Sequence, residues 1–169
     1  SLMSHESDNA DFTRMENAQL EGAKPLVVTG NDQWSESVLV KTIRSLPRSE
    51  DVVVAVPTHR LFPQMEALLR SAGIPVMKSA SEAKVPGGVR LSTFHSLKGL
   101  QFDHVFLFAV SERYFPTSGV EPDEISKARK LLYVAMTRAT RTLTIFTTPH
   151  YSRFIDEIDQ NLIERMVYS

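Results

Sequence analysis

Asp51-Val52-Val53-Val54-Ala55-Val56 carries no polar residue after its first position. A strand with one wet face alternates apolar and polar side chains. A strand covered on both faces is apolar throughout. The run therefore predicts a strand inside a sheet, with a layer packed on either side. Working outward, Leu61 to Ala72 reads as a helix, with Pro63 tolerable in its first turn and Gly73 where a C-terminal cap belongs. Upstream, Leu26-Val27-Val28-Thr29 is a short strand. Val38, Leu39, Ile43 and Leu46 then form one helical stripe within Trp34 to Leu46, closed by Pro47. Downstream, Ile74-Pro75-Val76-Met77 is another short strand, and Ser79 to Gly88 is a polar hinge ending in Pro86-Gly87-Gly88. Val89 to Ser92 and His104 to Val110 read as strands, Asp123 to Met136 as a helix, and Leu143 to Thr147 as a strand. Ser152 to Val167 reads as an amphipathic helix with Phe154, Ile155, Ile158, Leu162, Ile163 and Met166 on its apolar side. Strands alternating with helices predict an α/β fold, a mostly parallel sheet with helices on both faces. In such sheets ligands gather beyond the carboxyl ends of the strands.

The bulk composition narrows the function classes. The chain has 169 residues, enough for one domain with a real core. Nineteen basic residues stand against twenty acidic ones, so a nucleic-acid contact has to be local rather than a general basic surface. With no cysteine, disulfides, thiolate metal sites and cysteine nucleophiles are excluded. No metal site is expected. No apolar run approaches the roughly 20 residues that cross a bilayer, and the polar, acidic first residues hold no signal core. A cytoplasmic protein without a membrane partner is expected. Residues 1–22 lack a steady apolar period and read as a mobile leader, with Ser1-Leu2 a possible cloning remnant; residues 23–169 read as the folded domain.

Two segments carry chemistry. In Thr93-Phe94-His95-Ser96-Leu97-Lys98-Gly99-Leu100-Gln101-Phe102-Asp103, hydroxyls, an imidazole and an ammonium follow a strand. Thr93 and Ser96 can donate to phosphate oxygens. His95 can stack on a base or bond a phosphate, and Lys98 adds charge. Gly99 permits a tight turn or close backbone approach, and Gln101 can bond a ribose hydroxyl. The alternative is a polar connection whose Lys and Gly face solvent. In Leu131-Leu132-Tyr133-Val134-Ala135-Met136-Thr137-Arg138-Ala139-Thr140, Arg138 follows a helix. It either offsets the helix dipole or stabilises charge in phosphoryl transfer.

Taken together, these two segments resemble the fifth and sixth motifs of the UvrD/Rep-like superfamily 1 DNA helicases. Ser111-Glu112-Arg113-Tyr114-Phe115-Pro116 adds to the likeness, which runs from about Pro25 to Thr148. The resemblance implies the second RecA-like motor domain of such an enzyme, a three-layer α/β sandwich. It implies ATP between two such domains and single-stranded DNA across both. Carried over by position, Arg138 is the arginine finger at the γ-phosphate, and Gly99 and Gln101 stand near the nucleotide, with Gln101 where the family usually has Glu. Thr93, His95 and Lys98 face the DNA, Thr58 is a weaker DNA-phosphate candidate, and Tyr133 packs behind the arginine helix.

What is missing matters equally. None of the seven glycines is followed by Lys, so the phosphate loop is absent, and no apolar strand ends in paired carboxylates that could hold Mg²⁺. Both features would belong to the first RecA-like domain of the same polypeptide, the expected partner, which would bind most of the ATP and Mg²⁺. The family's aromatic-arginine motif is not recognisable in the leader. Lys127 and Ala128 replace acidic residues expected before Arg129. The family's large inserted domain would sit between Val76 and Val89, where only Lys78 to Gly88 is present. The expectation is a motor domain inactive by itself. The competing readings are a helicase-like scaffold or DNA-binding domain without hydrolysis, and a generic Rossmann or flavodoxin-like domain. The last is disfavoured by the lack of Gly-x-Gly-x-x-Gly after a strand.

Overall fold

The computed structural model describes residues 23–79, 81–116 and 120–168; the leader at 1–22 lies outside them. Seven strands form one sheet: β1 Leu26–Thr29, β2 Val52–Val56, β3 Val76–Met77, β4 Val89–Thr93, β5 Phe102–Leu107, β6 Ala139–Thr147 and β7 Glu164–Val167. The order is β3-β4-β2-β5-β6-β1-β7, and every pairing between named strands is parallel. Helices α1 Asp32–Ser45, α2 Phe62–Ser71, α3 Pro122–Met136 and the short α4 Phe154–Glu157 make the crossovers.

Residue by residue, β2 shows why its sequence lacks alternation. Val52, Val54 and Val56 pack with Leu39 and Ile43 of α1 and Met65 and Leu69 of α2. Val53 and Ala55 pack in the opposite layer with Leu132, Ala135 and Met136 of α3 and with Phe154 and Ile155. All five strand residues are buried. The sheet is thus the middle layer of a three-layer sandwich.

Local chemistry sets the helix ends. Asn31 accepts the Trp34 N–H at 2.8 Å and starts α1. Pro63 sits in the first turn of α2, and Gly73 at φ +76° follows its end. The polar stretch between β3 and β4 is pinned rather than loose. Lys84 bridges Asp51 at 3.0 Å and bonds the Ser49 carbonyl, Gly87 N–H donates to the Arg48 carbonyl at 3.0 Å, and Arg48 reaches the Pro86 carbonyl.

The expected helix over residues 152–167 does not form. Helix is confined to Phe154–Glu157, a 3-10 turn covers Gln160–Leu162, and Glu164–Val167 is strand. Two forces outweigh the helical stripe. Gln160 caps the Ile155 and Ile158 carbonyls while Asp159 accepts the Asn161 N–H, so side chains satisfy backbone groups in a non-helical path. The outer edge of β1 also needs a partner: Glu164 N–H donates to the Pro25 carbonyl and Tyr168 N–H to the Thr29 carbonyl, both at 2.9 Å. Ile158 and Ile163 stay buried, whereas Met166 is exposed. The strand expected to reach Val110 also stops at Leu107, because Ala109 turns the chain at φ +64°.

Candidate functional site

The sheet has two edges, and the candidate residues divide between them. At the carboxyl edge, β2 and β4 end side by side, with Val56 paired to Thr93 and Phe94 N–H donating to the Val56 carbonyl at 3.1 Å. Beyond them lie the exposed Thr58, whose side chain caps nothing, and the 3-10 turn His95–Leu97. His95, Ser96 and Lys98 are exposed. Thr93 is not: it is 5% exposed, and its hydroxyl is engaged with Ser96 Oγ at 3.0 Å and the Ser96 N–H at 3.3 Å. It shapes the turn that displays His95 and Ser96. Leu97 locks that turn into the core against α3.

The same edge also has an acidic side. A small open cleft between α1 and α2 is lined by Asp32, Glu36, Met65, Phe108 and Tyr114, among others. Burial, then the neighbouring Asp32 charge, pushes the Glu36 carboxyl up. Carboxylates here repel phosphate, which leaves the Thr58–His95 side as the polyanion-compatible part of the edge.

The amino edge, at the opposite end of the strands, holds Gln101 and Arg138. Each immediately precedes a strand. Because Phe102 pairs with Ala139 and Phe102 N–H donates to the Arg138 carbonyl at 2.9 Å, residues far apart in sequence become neighbours. Gly99, at φ +80°, makes the turn that brings the exposed Leu100 and Gln101 to this edge. Beside them runs an open groove of about 210 Å³ lined by Asp51, Lys84, Arg90, Leu100, Gln101 and Phe102. Arg138 Nε donates to the Val134 carbonyl at 3.2 Å, Nη2 to Thr137 Oγ1 at 3.1 Å, and Nη1 reaches the Leu100 carbonyl at 3.5 Å.

A second arginine sharpens the comparison. Arg141 pairs with Glu50 at 2.9 Å and Asp103 at 3.4 Å. Asp103 also accepts the Asp51 N–H at 2.8 Å; that bond first, and Arg141 next, hold its carboxyl below the usual aspartate range. Buried His104 lies between Thr142 Oγ1 at 2.6 Å and Glu50 at 3.2 Å. Arg141 is therefore already paired with two carboxylates of this domain. Arg138 meets only neutral oxygens, and no carboxylate pairs with it among the described residues. The sequence reading missed this network; a histidine inside an apolar strand, His104, was the signal available.

The family model for the UvrD-like helicase C-terminal domain matches residues 12–150. The chain belongs to the UvrD-like helicase C-terminal domain family. Staphylococcus aureus ATP-dependent DNA helicase PcrA is 34% identical over 54% of this chain and 14% of its own length. Escherichia coli ATP-dependent DNA helicase Rep is 34% identical over 43% of this chain and 13% of its own. The chain thus spans about one seventh of the curated relatives it matches. Among solved structures, the C-terminal domain of a possible DNA helicase from Lactobacillus superposes with TM-score 0.70 at 20% identity, covering 94% of each chain. The Escherichia coli DEAD-box protein SrmB superposes with TM-score 0.53 at 13% identity, covering 86% of this chain and 89% of its own. These likenesses establish a RecA-like α/β fold for this UvrD-like domain. Among the described residues no group of three or more His, Asp or Glu side chains could hold a metal, and no helix is long and apolar enough to cross a membrane.

Proposed function

We propose that this domain is the second motor domain of an ATP-dependent DNA helicase or translocase, using its two sheet edges for two ligands. The amino edge faces ATP bound to a first RecA-like domain of the same polypeptide. Arg138 is the residue that touches the reacting phosphate. Gln101 and the Gly99 turn contact the nucleotide beside it. The carboxyl edge faces single-stranded DNA through His95, Ser96, Lys98 and Thr58, with Thr93 holding the turn.

The observation that carries this reading is the contrast between the two arginines. A guanidinium fixed by neutral oxygens keeps its full charge for an anion arriving from outside, whereas one already paired with carboxylates does not. Such an arginine stabilises the charge spread over phosphoryl oxygens during transfer. The sequence lacks the Gly-Lys of a phosphate loop, and no acidic cluster among the described residues fits Mg²⁺. ATP and Mg²⁺ are therefore bound mainly by the first domain, and this domain by itself is inactive. Opening and closing of the cleft between the domains would then move the His95 edge along the DNA.

The test is DNA-stimulated ATP hydrolysis by the full-length polypeptide. Arg138→Ala should lower turnover by about 10³-fold or more while ATP binding changes little. Near-wild-type turnover in that variant refutes the finger assignment. Absence of any hydrolysis by the unsubstituted full-length protein favours the scaffold reading instead, for which Gln101 in place of the usual Glu is the motivating departure.

A further inference from the structure

We infer that Thr137 is a positioning residue for Arg138. Its hydroxyl closes a small hydrogen-bonded ring that aims the guanidinium at an incoming phosphoryl oxygen. The inference rests on the reading of Arg138 given above and extends it to the residue before it in the chain.

The ring has three members. Thr137 Oγ1 donates to the Val134 carbonyl at 2.8 Å, Arg138 Nε donates to that same carbonyl at 3.2 Å, and Arg138 Nη2 donates to Thr137 Oγ1 at 3.1 Å. A hydroxyl has one proton, and here the carbonyl takes it, so toward Arg138 the threonine oxygen can only accept. An arginine can only donate, so the polarity of the ring is unique. Its frame is rigid at both ends. Thr137 N–H donates to the Tyr133 and Val134 carbonyls at the end of α3, and the Arg138 carbonyl is held by Phe102 N–H at the start of β5. The β-branched side chain of Thr137 restricts its own rotation as well.

The consequence concerns the remaining donors. The inner side of the guanidinium is occupied by the ring, and further N–H groups on its Nη atoms stay available for an anion. Two neutral acceptors on the inner side fix orientation without spending charge. A guanidinium held in this way loses little freedom when it meets the phosphoryl group, the condition under which positioning contributes to rate. Valine in place of Thr137 keeps the shape and removes the oxygen, leaving Nη2 without its inner partner and the guanidinium held only by the Nε bond to the Val134 carbonyl and the 3.5 Å contact of Nη1 with the Leu100 carbonyl.

Two experiments test the inference, one independent of catalysis. In the 169-residue chain, the Arg138 Nε–H correlation should be resolved and protected from solvent exchange by NMR. Thr137→Val should accelerate its exchange about 10-fold or more, and Thr137→Ser should restore most of the protection. In the full-length polypeptide, Thr137→Val should lower ATP turnover by about 10- to 100-fold with KM for ATP little changed. It should do so only while Arg138 is present; in an Arg138→Ala background it should cost nothing further. Thr137→Ala serves the same comparison if the valine variant does not fold. Full loss with Arg138→Ala but wild-type turnover with Thr137→Val overturns the positioning role alone. An equal extra loss in the Arg138→Ala background, or a serine variant no better than valine, also overturns it. Wild-type turnover with Arg138→Ala removes the finger reading and this inference with it.

Discussion

Replacing Leu97 with alanine should strike both edges of the domain at once. Leu97 is fully buried in the turn that follows β4, in the same core cluster as Leu132, Ala135 and Met136 of α3. Truncation removes three carbon atoms from that cluster. At about 0.8 kcal/mol per buried methylene the transfer loss is roughly 2.4 kcal/mol. The cavity left behind adds to it, and measured leucine-to-alanine changes in cores run from about 2 to 5 kcal/mol. A loss of about 3 kcal/mol is expected here. For a domain of this length each kcal/mol lowers Tm by about 2–4 °C, so the melt should shift by roughly 6–12 °C. Urea titration and thermal melting of the 169-residue chain, followed by circular dichroism, measure both. The functional corollary is that His95 on one side and the helix leading to Arg138 on the other both lean on this side chain. A loss under about 1 kcal/mol with an unchanged urea slope would mean that the turn is not anchored in the core, and the described coupling of turn and helix would be wrong.

Two further substitutions probe features away from that contact. Asp103 has its carboxyl held low in the folded state by the Asp51 N–H and by Arg141. Its contribution is present above the ordinary aspartate value of about 4 and is lost as pH falls through the lower folded value. Asp103→Asn should therefore flatten the acid limb of a plot of urea midpoint against pH, and an unchanged limb would show that the carboxylate is not stabilising. Ala109 at φ +64° is the one non-glycine residue with positive φ among the described residues. Ala109→Gly should relieve about 1 kcal/mol of backbone strain and raise Tm by a few degrees, and a lowered Tm would contradict the left-handed conformation.

Much of the architecture was legible in the chain because it is written in local patterns. The unalternating Val52–Val56 run needs cover on two faces, and the two core clusters supply it. Helices α1, α2 and α3 follow their apolar stripes and, for the first two, their punctuation at Pro47 and Gly73. The motifs around His95 and Arg138 are contiguous, so their resemblance to the family could be seen before any coordinates, and the family match bears it out.

Other features had no local signature. The Ser152–Val167 stripe suggested one helix, yet the open edge of β1 claimed its second half as β7, a demand made by a strand more than a hundred residues away. Thr93 looked like a free hydroxyl, but its place at the end of a buried strand turned it inward to Ser96. From the sequence, Thr93 and His95 face DNA and Arg138 faces the nucleotide, with both motifs expected where ligands gather beyond the carboxyl ends of the strands. The parallel register instead sets His95 beyond the carboxyl end of β4, and Gln101 and Arg138 ahead of the amino ends of β5 and β6. The residue types were decided by the chain. That Arg138 stays uncommitted while Arg141 does not was decided by the fold, because only the packed sheet brings Glu50 and Asp103 against Arg141 and leaves Arg138 among neutral oxygens.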